Sequence, residues 1–184
     1  MDPQAHVLYG SRVSLSHVVR GKVCVLCVHG RKALPTIGYG MSRNPRNDGN
    51  LDTRNVVTAF LEHDGKILLV RRSQSVGTYR GRWSGISGYL EHEPLEQALI
   101  EIREETGLSS ADVELAKQGE PLEILDAEQN RRWRVHPFLF RVNRPNAIQL
   151  DWENLELRWI LPSEIDNYET VPSLKEALAR CLDT

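Results

Sequence analysis

The sequence lacks a long apolar run and any recognisable leader. No stretch of its 184 residues approaches the roughly 20 consecutive apolar residues that are needed to cross a bilayer. The N-terminal Met-Asp-Pro-Gln has neither the basic residues nor the following apolar stretch of a secretory signal. Hydrophobic residues make up 40% and charged residues 26%, which is typical of globular rather than disordered proteins. We therefore expect a globular, cytoplasmic protein with no membrane partner.

Cysteine is scarce, with three residues in the chain. This odd, low count argues against a disulfide framework. Cys24 and Cys27 have the C-x-x-C spacing of a redox or zinc pair, but a structural zinc site needs four ligands and the sequence has no second such pair. Since both lie in the apolar run 23–28, we interpret them as buried free thiols in a strand.

Net charge is also small, at −2, which argues against electrostatic binding of nucleic acid. Residues 1–54 contain no glutamate and hold eight basic residues and three aspartates, whereas residues 55–184 hold fifteen basic and 22 acidic residues. The polar, Asn-rich stretch 41–55 coincides with this change and is typical of a linker. We predict an N-terminal extension and linker over residues 1–54, of uncertain structure, and one main domain over 55–184.

Strand and helix patterns alternate along the main domain. The spacing of apolar residues predicts a helix over 95–106, with Pro94 at its start and Gly107 as its C-cap. Asp64-Gly65 predicts a tight hairpin turn. An amphipathic pattern predicts a terminal helix at 173–182. Runs of β-branched and aromatic residues predict seven strands, at 56–62, 67–72, 83–90, 113–119, 122–126, 133–142 and 155–161. The sum is an α+β domain with a mixed sheet flanked by helices.

Three glutamates of the first predicted helix carry the clearest chemical signal. Glu101, Glu104 and Glu105 are spaced i, i+3 and i+4, which places their carboxylates on one side of the helix. One interpretation is a solvated helix face, because neighbouring like charges cost only about a few tenths of a kcal/mol. The other is a site for Mg²⁺ or Mn²⁺, because these cations take oxygen ligands and relieve the repulsion between clustered carboxylates.

The segment that contains this helix, GYLEHEPLEQALIEIREETGL at 88–108, resembles the Nudix box. The second half matches the family pattern from Glu101 to Leu108, and the wider resemblance covers about residues 55–180, including Gly-Arg-Trp at 81–83. The stretches 76–90 and 133–142 are similar to Nudix modules that are fused ahead of translation-initiation-factor-2B-like domains. That likeness implies a stand-alone or split version of such a module.

The first half of the box departs from the family pattern. The spacing from Gly88 to Gly107 is two residues shorter than in the family, and Ile100 takes the position of the box arginine. His92 falls at the early glutamate if the gap is ignored, and Glu91 or Glu93 could serve instead. Because the family arginine and glutamate form an ion pair, losing both leaves no unpaired buried charge. Arg103 is a candidate substitute, although it projects from a different side of the helix.

The resemblance implies a Nudix-like α/β/α sandwich and a metal-dependent hydrolase that cleaves the diphosphate bond of a nucleoside diphosphate linked to another moiety. It implies Mg²⁺ or Mn²⁺ as cofactor, held by Glu101, Glu104, Glu105 and the carbonyl of Gly88. Such an ion neutralises phosphate charge and acidifies or orients water. Glu101 or Glu105 could accept the proton of the water. Glu153, outside the box, is a further candidate base, and an exposed loop acid is the alternative interpretation.

Basic and aromatic residues supply candidates for substrate binding. Guanidinium groups suit phosphate oxygens, and four arginines flank the loop before the box: Arg71, Arg72, Arg80 and Arg82. The alternative is a solvated basic loop. Trp133 is a candidate for stacking on a base, although most aromatic residues are core. The surrounding cluster at 131–134 (RRWR) favours an exposed strand edge protected by charge.

Two functions remain open at this point. The intact glutamate trio favours a hydrolase that acts on a nucleoside diphosphate derivative or another small phosphorylated substrate. The replaced arginine and the shortened loop favour a non-catalytic Nudix-fold module that senses a nucleotide and regulates a partner. The resemblance also allows a homodimer, since many relatives are dimers.

Overall fold

The computed structural model describes residues 52–127 and 129–182. Of the predicted extension over residues 1–54, the part up to residue 51, with Cys24 and Cys27, therefore lies outside the described residues, and residues 52–54 belong to the first strand. The described chain contains eight strands, two α-helices and two short 3₁₀ helices. They are β1 (Asp52–His63), β2 (Lys66–Arg72), β3 (Trp83–Ser84), β4 (Ile86–Tyr89), α1 (Pro94–Thr106), β5 (Val113–Gln118), β6 (Leu122–Asp126), β7 (Arg131–Val142), a 3₁₀ helix (Pro145–Ala147), β8 (Asn154–Ile160), a 3₁₀ helix (Pro162–Asn167) and α2 (Leu174–Leu182).

Local turn and cap chemistry explains where several elements begin and end. Asp64 and Gly65 have φ of 50° and 75°, the left-handed conformation that a tight hairpin turn requires, so the predicted β1–β2 turn is confirmed. Pro94 occupies the first turn of α1, and Gly107 ends the helix with φ of 73° and an N–H that donates to the Arg103 carbonyl at 3.0 Å. The predicted α1 is therefore confirmed at both ends.

The predicted strand over 83–90 is two short strands instead. β3 pairs with β2, whereas β4 pairs with β1, so the chain changes partners at Gly85. A Cβ at Gly85 would lie 3.1 Å from the Ala59 carbonyl oxygen, which shows how closely the two backbones approach there. This change of partner brings Gly88, at the end of β4, beside α1.

The eight strands form one mixed sheet. Its order is β3-β2-β1-β7-β5, with β4 paired to β1, β6 to β7 and β8 to β2. β1 and β7 run parallel over eleven residue pairs, and the other pairings are antiparallel. Because β7 lies between β1 and the β5 and β6 strands, the predicted exposed edge at 131–134 is wrong: this segment belongs to an interior strand.

Alternation along β1 divides the core between the two faces of the sheet. Val57, Ala59 and Leu61 belong to the cluster that includes Ala98 and Ile102 of α1. Phe60 belongs to the cluster on the other face, with α2. This arrangement confirms the predicted α/β/α sandwich, since a strand directs successive side chains to opposite faces.

The two helices are amphipathic and short. Ala98 and Ile102 are buried as predicted, but Leu95, expected on the same face, is 37% exposed because it lies in the first turn. Leu174, Ala177, Leu178 and Cys181 form the buried face of α2. Among the described residues, neither helix has the length and apolar composition that crossing a membrane would require.

Candidate active site

A polar stripe runs along the buried face of α1. Gln97, Glu101 and Glu105 are spaced by four residues, and their exposed fractions are 4%, 4% and 3%. Glu104, by contrast, is exposed. The predicted trio is therefore divided: the structure brings two of its carboxylates together against the sheet and leaves the third on the helix surface.

Glu105 is held by two donors from other parts of the chain. The Ser87 backbone N–H donates to Oε1 at 3.0 Å, and Asn154 Nδ2 donates to Oε2 at 2.7 Å. Burial raises the pKa of the Glu105 carboxyl to about 8; the two hydrogen bonds oppose this shift, and the negative charges of Glu101 and Glu153 add to it. The two hydrogen bonds therefore orient the carboxyl and favour its ionised form, but no positive side chain among the described residues offsets the cost of burying it.

Glu101 lies directly against the end of β4. A Cβ built on Gly88 would be 1.8 Å from Glu101 Oε1, so only glycine leaves room for this carboxylate. On the other side, Gln97 Nε2 donates to the same oxygen at 2.8 Å. Gly88 and Glu101, both predicted as metal ligands, are therefore neighbours.

The loop before β8 approaches α1 from the other end of the stripe. The Asp151 backbone N–H donates to the Glu105 carbonyl at 3.2 Å, and the Glu153 N–H donates to Asp151 Oδ1 at 2.9 Å. The Glu153 carbonyl accepts from the Ser73 N–H at 2.7 Å, which ties this loop to the end of β2. The structure thus brings Glu153 within electrostatic range of Glu105.

The chemistry of this donor set fits a hard divalent cation. Two buried carboxylates that repel each other, a third on the next turn and the backbone of Gly88 offer only oxygen atoms, which Mg²⁺ and Mn²⁺ prefer. Within residues 52–127 and 129–182, however, no three His, Cys, Asp or Glu side chains already converge as a metal site. Ligation by the trio requires the exposed Glu104 side chain to turn towards its neighbours.

The four predicted arginines hold the β2–β3 loop and its surroundings. Arg72 Nε donates to the Thr78 carbonyl at 3.0 Å, and Arg80 Nε donates to the Val76 carbonyl at 2.9 Å. Arg71 donates to the Gly81 carbonyl and pairs with Glu156 at 3.3 Å, and Arg82 reaches Thr170 and Glu169. Each guanidinium therefore has at least one nitrogen hydrogen-bonded within the protein. Arg71 and Arg80 are the more exposed pair.

Trp133 lies in the core rather than on an open surface. Its exposed fraction is 6%, and it belongs to the cluster that packs against α2. The rings of Tyr79 and Tyr89 lie 6.3 and 6.2 Å from it, and the Arg131 guanidinium lies 5.2 Å from its ring centre. Tyr89 follows Gly88 and is 46% exposed, so it is the member of this aromatic cluster that is open to solvent.

Sequence reasoning missed the residues that support the glutamates. Asn154 is 49 positions from Glu105, so no local spacing could have identified it. Gln97 stands four residues before Glu101, a spacing that could have been recognised. Arg103, the suggested substitute for the box arginine, is exposed and borders a groove with Leu99 and Ile100 on another side of α1.

Comparison with known proteins agrees with this architecture. A NUDIX domain family profile matches residues 52–181. No curated protein matches the chain. Among solved structures, a NUDIX hydrolase from Nitrosomonas europaea has a TM-score of 0.58 at 21% identity, covering 70% of this chain and 88% of that one. A MutT protein from Methanosarcina mazei Go1 has a TM-score of 0.56 at 22% identity, covering 72% and 95%.

A third similar structure is a binary complex of an Ap4A hydrolase from C. elegans. Its TM-score is 0.56 at 16% identity, and the match covers 71% of this chain and 94% of that one. At these identities the structural matches establish the fold. The family match extends over most of the chain and confirms both the predicted family and the predicted enzyme class, a hydrolase of phosphoric anhydride bonds. The chain belongs to the NUDIX domain family.

Proposed function

We propose that this member of the family is a metal-dependent hydrolase that cleaves the diphosphate bond of a nucleoside diphosphate linked to another moiety. Members of the family are pyrophosphohydrolases. The observation that carries the proposal is the burial of two neighbouring carboxylates, Glu101 against Gly88 and Glu105 against Ser87 and Asn154. Two adjacent buried carboxylates are costly unless a cation binds them, and a cation is what diphosphate chemistry needs.

The chain's own residues would prepare the metal site. Ser87 and Asn154 fix both oxygens of Glu105, while Gly88 and Gln97 enclose Glu101. Glu104, which is exposed, would complete the ligand set by rotating towards them. When bound here, Mg²⁺ or Mn²⁺ would supply neutralisation of phosphate charge and a more acidic water.

Glu153 is our candidate for the general base. It lies in a loop that hydrogen bonds to the end of α1, and its charge acts on Glu105. In this role its carboxylate accepts a proton as the water oxygen attacks phosphorus and the bond to the bridging oxygen breaks. Glu101 and Glu105 stay alternatives for this step, because a carboxylate that is not ligating a cation can accept the same proton.

The substrate would lie between the β2–β3 loop and the glutamates. Arg71, near the end of β2, and Arg80, in the loop, are the exposed arginines there, and each keeps guanidinium nitrogens beyond those bonded to the protein. Arg72 and Arg82 would then act mainly by holding the loop. Trp133 is a core residue on the α2 side of the sheet, so the exposed Tyr89 ring is the member of its aromatic cluster that would be available to a base.

The decisive test is a panel of nucleoside diphosphate derivatives and dinucleoside polyphosphates with Mg²⁺ or Mn²⁺. The panel includes Ap4A, because one similar structure is an Ap4A hydrolase. We expect release of phosphate-containing products that stops when the metal is chelated. Glu104→Gln should lower kcat/KM by at least about tenfold, or about 1.4 kcal/mol of transition-state stabilisation.

Glu176→Gln is the matched control, since Glu176 is exposed on α2 and is not among the candidate ligands. It should keep the wild-type rate. Saturable nucleotide binding without turnover of any substrate would contradict the proposal and support the nucleotide-sensing alternative, for which the apolar Ile100 at the box-arginine position is the specific motivation. Full activity of Glu104→Gln at limiting Mg²⁺ would exclude Glu104 as a ligand.

A further inference from the structure

Gln97 occupies a position where a helix packed against a sheet normally carries an apolar residue. It lies on the buried face of α1 beside Ala98, and 4% of it is exposed. Burying an amide is unfavourable unless its donor and acceptor are both used. The contacts of Gln97 therefore identify what this buried amide does.

The amide connects two separate parts of the site. Its Oε1 accepts from the backbone N–H groups of Glu91 and His92, each at 3.2 Å, and its Nε2 donates to Glu101 Oε1 at 2.8 Å. Glu91 and His92 belong to the segment between β4 and α1, which begins two residues after Gly88. One side chain thus ties the backbone that follows Gly88 to the carboxylate that lies against Gly88.

Few other side chains could make the same connection. Glutamate would keep the acceptors but would place a second carboxylate against Glu101 instead of a donor. Methionine has a similar length but offers neither the amide donor nor the carbonyl acceptor. Arg103, which the sequence suggested as a substitute for the box arginine, is exposed on another side of the helix, and Ile100, at the box-arginine position, has an apolar side chain.

We propose that Gln97 is the positioning residue for Glu101. With the glycine on one side and the amide on the other, the Glu101 carboxylate is held in one place before any cation binds. A buried hydrogen bond to a carboxylate orients it, and residues that orient metal ligands affect metal affinity about 10–100-fold. The relevance of this to hydrolysis rests on the proposed function, but the placement of Glu101 does not.

Two substitutions at Gln97 distinguish its hydrogen bonds to the Glu91 and His92 backbone from its hydrogen bond to Glu101. Gln97→Met removes both the donor and the acceptor, whereas Gln97→Glu keeps the acceptor for Glu91 and His92 and removes the donor to Glu101. Gln118→Glu is the control, because it makes the same chemical change at an exposed position of β5. If Gln97→Met fails to fold, Gln97→Glu still tests the link to Glu101.

The first measurement needs neither metal nor substrate. In crystal structures, both Gln97 variants should show the Glu101 carboxylate displaced from Gly88. By NMR, amide hydrogen exchange at Glu91 and His92 should accelerate at least about tenfold in Gln97→Met and stay near wild type in Gln97→Glu. An unmoved Glu101 carboxylate in both variants would overturn the inference.

The second measurement is titration of the full-length protein with Mn²⁺ alone. Gln97→Met should weaken Mn²⁺ binding by about 10-fold or more, while Gln118→Glu should bind like wild type. Wild-type Mn²⁺ affinity in Gln97→Met would overturn the positioning role even if the two amides exchanged faster. A wild-type protein that binds Mn²⁺ but hydrolyses nothing would refute the proposed function and leave this inference standing on its own results.

Discussion

Replacing Gly88 with alanine should displace the Glu101 carboxylate while the domain stays folded. The new Cβ would lie 1.8 Å from Glu101 Oε1 and 2.0 Å from its Cδ, whereas real Cβ contacts essentially never fall below 3.0 Å. Oε1 must therefore move by roughly 1.2 Å, the difference between 3.0 and 1.8 Å. Because the obstacle is the end of a flexible side chain, the carboxylate should give way rather than the backbone of β4.

The size of the effect follows from what the carboxylate loses. Gln97 Nε2 lies only 2.8 Å from Oε1, so a movement of this length breaks or distorts that hydrogen bond. Losing a buried hydrogen bond to a charged group costs about 1.5–3 kcal/mol of folding free energy, so the melting temperature should fall without loss of the fold. A catalytic group misplaced by about 1 Å can cost about 100-fold in rate, so kcat/KM should fall by about 10–100-fold.

The assay compares Gly88→Ala with Gly77→Ala, where an added Cβ meets nothing within 4 Å. Thermal unfolding, Mn²⁺ titration and kcat/KM on the best substrate of the panel are measured for both variants and for wild type. Gly77→Ala should match wild type in all three. The reasoning would be refuted if Gly88→Ala kept wild-type Mn²⁺ affinity and rate, or if it failed to fold, because β4 would then be the part that yields.

Two further predictions concern titratable groups. The pKa of Glu105 is raised by burial from 4.5 to about 8, so the native state binds more protons than the unfolded state between these values. In the presence of a chelator, the unfolding free energy of wild type relative to Glu105→Gln should therefore be highest below pH 4.5 and fall as the pH rises from 4.5 to about 8. Denaturant unfolding measures this difference, and a difference that does not change with pH would contradict the prediction. Burial also raises the pKa of Cys181 to about 11. In a Cys24→Ser, Cys27→Ser background, a disulfide reagent at pH 8 should modify this thiol only upon unfolding, and rapid modification of the native protein would contradict its burial.

The parts of the fold that could be predicted from the sequence are those with short-range causes. Asp64-Gly65 determines a hairpin turn because both residues tolerate positive φ, and Pro94 and Gly107 delimit α1 because one suits a first turn and the other a left-handed cap. The strand partners could not be predicted in this way. The segment 83–90 looks like one strand, and the exchange of partners at Gly85 depends on where β1 and β2 lie.

The candidate site was likewise predictable only where its features have short-range causes. Helical spacing grouped Glu101, Glu104 and Glu105 on one side of α1, but spacing alone treats the three alike. Burial of Glu101 and Glu105 and exposure of Glu104 depend on how α1 is rotated against the sheet. Trp133 shows the same limit, because the basic residues around it suggested an edge while pairing on both sides makes β7 an interior strand.

The support for the two buried glutamates argues that this face of α1 is built for binding rather than for stability. Leucine at these positions would extend the apolar contacts of Ala98 and Ile102, and replacing buried charges by apolar residues is often neutral or stabilising. Instead, the Gln97 amide orients Glu101, and the Asn154 side chain and the Ser87 N–H orient Glu105. Burial still raises the pKa of Glu105 to about 8. Hydrogen bonds that orient a carboxylate without fully offsetting its burial leave it with an unmet preference for positive charge. A divalent cation meets that preference, so binding of the cation and stability of this face should be coupled in the NUDIX domain of this chain.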